Sequence, residues 1–313
     1  MPSAEAEPLT VVRAPAPQAK ATSRKRVFWY PYALIAPTMI TLVVVSLIPF
    51  VYTAYLSFHE MNYAQVGNFA GFANYKVLLT DGRFWQSMWV STLIILIAVP
   101  IEFALGLIGA LVLNQRIRFK RVIIPMLFLP TMMAPIVVAI LWKIMLAGSW
   151  GLLSYNILER FGFLGKFSVF ASPDLALFAI IFIDVWEWTP FMTLALFAGL
   201  QSLPVNPYRA AAVDGATPLQ TFFRLTAPMM IPLMAVIGLI RFIDAFKLFD
   251  TVFILTGGGP GSTTESVNLF TYKMVFDWWE MGPATATAVI IWVMFFIFCY
   301  VFYQVAKKKL KAF

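Results

Sequence analysis

Residues 203–232 read LPVNPYRAAAVDGATPLQTFFRLTAPMMIP, the longest polar-leaning interruption in the apolar second half of the chain. The stretch carries two helix starts separated by a turn. Asn206 before Pro207 has the form of an N-cap followed by proline in the first helical turn. Tyr208 to Val213 then reads as a short helix, which Asp214-Gly215 stops. Thr217-Pro218 restarts a helix, and Gln220, three residues after Thr217, completes a capping box. Pro228 and Pro232 mark the entry into the next apolar segment. The sequence therefore predicts a compact helix-turn-helix held between two hydrophobic spans.

Composition says what those spans are. Of the 313 residues 61% are hydrophobic and 12% charged, against about 25% charged in a soluble domain. So little polarity cannot cover a water-facing exterior, which predicts an all-α integral membrane protein. Six spans of at least roughly 20 residues, enough to cross about 30 Å of hydrocarbon, are expected at 32–57, 86–114, 122–145, 174–200, 229–254 and 284–306. Residues 1–26, rich in Ala, Pro and charge, read as a disordered cytoplasmic tail before a membrane unit over 27–313. They lack the apolar core of a cleavable signal.

The formal charge of +8 does not indicate nucleic acid, because the basic residues flank spans and do not gather on one soluble face. Fifteen lie on one side, among them Arg24–Arg26, Arg116–Arg121, Arg209, Arg224 and Lys307–Lys311; five lie on the other: Lys76, Arg83, Arg160, Lys166 and Lys273. The positive-inside rule then places both termini and residues 203–228 in the cytoplasm. The outer loops 58–85, 146–173 and 255–283 are aromatic-rich, with Tyr63, Trp150, Trp278 and Trp279. One histidine (His59) and one cysteine (Cys299) leave no material for a histidine metal site, a catalytic triad or an internal disulfide. The TGGGPG run at 256–261 lacks the following Lys-Ser/Thr of a phosphate loop and reads as a turn after the fifth span.

Charges inside spans cost about 2.5–3.5 kcal/mol each and face a cavity or a partner. In the fourth span Asp184, Glu187 and Trp188 share one helix face at i, i+3, i+4. In the fifth, Arg241, Asp244, Lys247 and Asp250 follow in i, i+3 steps of alternating sign. Two readings stand: a self-paired ladder that supports the bundle, or a polar pathway. Carboxylates beside tryptophan suit a sugar, since carboxylates accept hydroxyl hydrogen bonds and rings stack on C–H faces. Proton relay is a further use of such acids. Glu102, alone in the second span, is expected to pair with another helix.

Several stretches resemble the permease subunits of binding-protein-dependent ABC importers of the carbohydrate class, such as those for maltose, trehalose and glycerol-3-phosphate. The central likeness is to the cytoplasmic EAA motif, standing here as Tyr208, Arg209, Ala210, Ala211, Ala212, Val213, Asp214, Gly215 and Ala216, then Gln220, Phe222, Leu225 and Pro228. Asn74-Tyr75-Lys76, Trp188-Thr189-Pro190-Phe191, Leu255–Pro260 and Gly282-Pro283-Ala284 extend it over roughly residues 28–310. The resemblance implies the type I importer fold, with residues 203–228 as a coupling helix docked on an ATPase. It implies a heterodimer with a second permease, two cytoplasmic ABC ATPase subunits that hold ATP and Mg, and an extracytoplasmic sugar-binding protein, all in the bacterial inner membrane. No catalysis and no cofactor are implied on this chain. By this reading Asp184, Glu187, Trp188, Asp244, Lys247 and Asp250 line the substrate pathway. The sequence departs from the family at Arg209, where glutamate is usual; placed third after Asn206, Arg forfeits a capping box. The rival reading is a proton-coupled secondary transporter that uses the intramembrane carboxylates.

Overall fold

A computed structural model describes residues 30–62, 65–148, 151–153 and 169–310. The tail 1–26, Tyr63, Trp150, Arg160, Lys166 and Lys311 lie outside the described residues. The chain forms two compact units, one ending at Val51 and one beginning at Tyr52. In the first, α1 (Tyr30–Leu42) runs through a π-helical turn (Val43–Leu47) into the start of α2 (Ile48–Leu56).

The larger unit opens with a feature absent from the all-α expectation. Strands β1 (His59–Asn62) and β2 (Gln65–Phe69) pair antiparallel in the loop after α2. Helix α3 (Ala73–Thr80) seats this hairpin. Asn74 Nδ2 donates to the carbonyls of Ser57 and His59, both at 2.9 Å, and the Tyr75 hydroxyl meets Ser57 Oγ at 2.7 Å. A Cβ at Gly282 would stand 2.8 Å from Asn74 Oδ1. Two separate pieces of the family likeness, Asn74 and Gly282, are thus one contact.

The long helices follow. Helix α4 (Gly82–Asn114) starts on Asp81, whose carboxylate accepts from the Arg83 amide at 2.8 Å. Helices α5 (Lys120–Met132) and α6 (Pro135–Met145) were expected as one continuous third span, and they are two pieces bent by 90°. The reason is local: a residue before proline is driven out of the α region, and Ala134 before Pro135 is extended (φ −66°, ψ 134°). Helix α7 (Pro173–Gln201) packs on α4 along most of its length. Small residues let the backbones approach, since a Cβ on Gly106 or Gly109 would fall within 2.6–2.8 Å of Met192 or Thr193.

Residues 203–228 do form a helix-turn-helix, with α8 (Val205–Val213), Gly215 at φ +72°, and α9 (Pro218–Thr221) behind the expected Thr217–Gln220 capping box. Its start differs from expectation. Pro204 (ψ 137°) is the N-cap and Asn206 lies inside the helix, with Pro207 still in the first turn, where a missing N–H costs nothing. Arg209 is therefore the fifth helical residue, beyond the position at which glutamate would complete a capping box. The chain then enters a π-helical turn (Phe222–Thr226) and α10 (Ala227–Phe246).

The fifth span reaches Leu255, close to the expected 254, but not as one helix. It breaks at Lys247–Phe249 and resumes as the short α11 (Asp250–Leu255). The 256–261 turn follows with Gly257, Gly258 and Gly261 at positive φ. Helix α12 (Val267–Phe276) folds back into the core, burying Val267, Leu269 and Phe270. Helix α13 (Met281–Leu310) closes the chain. Among the described residues, five helices are long and apolar enough to cross a membrane, or six when α5 and α6 count as one broken span.

Candidate functional site

The breaks in the third and fifth spans meet at one place. Pro135 at the start of α6, Asp184, Glu187 and Trp188 on α7, Asp244 near the end of α10, and Lys247 to Thr251 across the α10–α11 break line a cavity of about 170 Å³. All six residues named for a pathway, Asp184, Glu187, Trp188, Asp244, Lys247 and Asp250, stand on its wall.

Behind that wall lies Arg241, 1% exposed. Its Nε and Nη2 donate to the two oxygens of Glu102 at 2.7 and 2.9 Å, a bidentate pair, and Nη2 also donates to Asp184 at 2.5 Å. Asp244, its neighbour in the proposed ladder, is only 3.5 Å from Nη1 and is 40% exposed. Within the alternating ladder Arg241 and Asp244 thus keep a long contact, while the closer partners of Arg241 lie on other helices. The helix ends before Lys247, and Arg241 is turned across the bundle to α4 and α7. Glu102 finds the interhelical partner expected of it. The guanidinium also lies 4.8 Å from the centre of the Trp188 ring, so it supports one face of that ring.

Ser266 and Asn268 hold the α10–α11 break open. Two carbonyls freed there would lack partners in hydrocarbon. Asn268 Nδ2 donates to Phe246 O at 2.6 Å and Ser266 Oγ donates to Leu248 O at 2.9 Å. Neither residue was singled out from sequence. The available signal was a Ser-Val-Asn polar pair at the mouth of an apolar helix.

Beside Ser266, Glu265 anchors the same segment. It accepts from Arg83 Nε and Nη2 at 2.6 and 2.9 Å and pairs with Lys273 Nζ at 2.8 Å, while Lys273 also donates to Gly257 O. Burial pushes the Glu265 carboxyl up, but the hydrogen bonds from Arg83 and Lys273 outweigh it and hold it below the ordinary glutamate value.

At the far end of α10, the Tyr208 hydroxyl donates to Thr226 Oγ1 at 3.0 Å, tying α8 to the π-helical turn. Arg209, Ala210, Asp214, Gly215 and Gln220 are exposed; Ala211, Ala216, Phe222, Leu225 and Pro228 are half-buried. Beside them Val205, Val213, Leu219 and Phe223 present 59–88% of their surface. Four large apolar side chains thus stand exposed around the polar turn.

The family of the binding-protein-dependent transport system inner membrane component matches residues 102–311. The trehalose/maltose transport system permease protein MalF of Thermococcus litoralis is 33% identical over 277 residues, covering 88% of this chain and 93% of that one. The sulfoquinovosyl glycerol transport system permease protein SmoG of Agrobacterium fabrum is 30% identical over 278 residues, covering 88% and 90%. A bacterial alginate ABC transporter, solved in complex with an alginate pentasaccharide-bound periplasmic protein, shares the fold. Its TM-score is 0.78 at 20% identity, over 90% of this chain and 94% of that chain.

Proposed function

We propose, from the premise that this chain belongs to the binding-protein-dependent transport system inner membrane component family, that it carries a sugar or sugar derivative through a bacterial inner membrane. The family is one of ABC importer permease subunits, so the chain is a transport subunit and not itself an enzyme. The family also displaces the proton-coupled secondary transporter as an account of the intramembrane carboxylates.

The observation that carries the substrate reading is the convergence of carboxylates and Trp188 on one cavity at two helix breaks. Glu187, Asp244 and Asp250 would accept hydroxyl hydrogen bonds, and Trp188, backed by Arg241, would stack on the C–H face of a ring. At about 170 Å³ the cavity is smaller than the roughly 300–1,000 Å³ of a complete ligand pocket. A second, related permease supplies the rest of the wall in this proposal, as the other half of a heterodimer.

Both termini and α8 to α9 face the cytoplasm in this reading, following the basic residues. Two ABC ATPase subunits hold ATP and Mg, and no cofactor is assigned to this chain. Their closure pushes the face around Tyr208 to Gly215, and α10 transmits the movement to the break at Lys247. A binding protein delivers the sugar to the outer loops 58–85, 146–173 and 255–283. Uptake by the assembled importer tests this. It should stop without ATP and persist when an ionophore collapses the proton gradient; the reverse pattern rejects it.

A further inference from the structure

Arg241 and Lys247 are the two cations through which an anionic substrate could enter the reading above. The geometry removes the first. Arg241 is 1% exposed, and its guanidinium is held by both oxygens of Glu102 and by Asp184. Lys247 then shares the cavity wall with four carboxylates, Asp184, Glu187, Asp244 and Asp250. With Glu102 behind the wall the cluster sets five carboxylates against two cations, and protonating any two acids leaves the sign unchanged. Glu187 adds an independent sign of a ligand. It is 2% exposed and lines the cavity, and no described residue donates to its carboxylate. Its carboxylate lines the cavity, where a solute hydroxyl or water can donate to it.

We infer that this cavity passes uncharged, polyhydroxylated solutes and rejects anionic ones such as sugar phosphates, uronates and sulfonates. The inference rests on the importer reading for its meaning, and its test is independent of it. Cys299 is the chain's one cysteine, so Leu248→Cys in a Cys299→Ser background places a single thiol on the cavity wall. In membranes of cells that express the whole importer, its labelling rates by a cationic and an anionic methanethiosulfonate are each divided by the rate for 2-mercaptoethanol. Clefts of one sign concentrate opposite charge at least about tenfold, so the cationic reagent should be favoured about tenfold or more. Adding Glu187→Gln and Asp250→Asn should return the ratio towards parity. Thr251→Cys, a near-isosteric change on the same wall, repeats the measurement if Leu248→Cys does not assemble. A ratio at or below parity overturns the inference, and so does a thiol that neither reagent reaches in any nucleotide state. A high ratio in a chain that carries no sugar would fault the importer reading alone.

Discussion

Arg241 shows what a single residue's neighbours in sequence conceal. Its i+3 neighbour Asp244 stands at 3.5 Å, while Glu102, 139 positions away, takes two of its N–H groups. Removing one member of a buried ion pair strands the other and costs about 3–5 kcal/mol. Glu102→Ala should therefore lower the melting temperature of the assembled complex markedly, and Glu187→Gln, which strands no partner, should leave it nearly unchanged; equal melting of both would refute the arrangement. That Glu102 needed a partner on another helix was legible, because a lone charge cannot sit in hydrocarbon. Which helix was not legible, since no local spacing encodes it. Glu265 sits outside the spans and answers to pH. Its carboxyl is held below the ordinary value of 4.5, so its contribution is fully present above that value and is lost as pH falls through the depressed one. Stability of the complex should thus decline below about pH 4.5, and Glu265→Gln should flatten that decline; an unaltered slope would speak against the Arg83–Glu265–Lys273 clasp.

At the scale of elements, the two helix breaks decide where the cavity lies. One was half-written in the sequence: Pro135 and its effect on Ala134 are a known way to interrupt a helix, yet a proline in a span also permits a mere kink. The other, at Lys247–Phe249, has neither proline nor glycine. Its cause is the pair of side chains that cap it from α12, Ser266 and Asn268, about twenty residues on and inside what reads as an outer loop. Asn268→Ala frees the Phe246 carbonyl, at a net cost of about 1–3 kcal/mol for an unsatisfied buried acceptor. Amide exchange over the peptide spanning residues 246–255 should quicken in this variant, and exchange over α7 should not. Unchanged exchange at the break would show that Asn268 does not hold it. The helix-turn-helix, by contrast, was largely legible, because capping boxes and Gly215 are local chemistry. Only its first turn was misplaced, by two prolines that each could begin a helix.

For the whole molecule, the exposed polar turn and the charged cavity lie at different ends of α10. The long apolar spans and the asymmetry of basic residues were readable from composition alone. The small hairpin was not, because four- and five-residue strands in an aromatic loop carry little pattern. Arg209 belongs at this scale. As the fifth residue of α8 and exposed, it has no capping duty to perform, and its charge is available to a partner surface. We predict that Arg209→Glu weakens co-purification of the ATPase subunits and lowers sugar-stimulated ATP hydrolysis several-fold, a loss of about 1 kcal/mol or more; undiminished coupling would remove charge matching as its role.

We propose that the cavity at the two breaks lies on the path of the sugar. The most direct measurement is ATP-driven uptake, in proteoliposomes, of the sugar that the importer's binding protein retains, by complexes carrying Trp188→Ala or Glu187→Gln and matched for ATPase content. Each should lower uptake at least about tenfold, the loss of about 1.4 kcal/mol of interaction with the passing solute, while basal ATP hydrolysis remains. Uptake equal to that of the unaltered complex in both variants would contradict it.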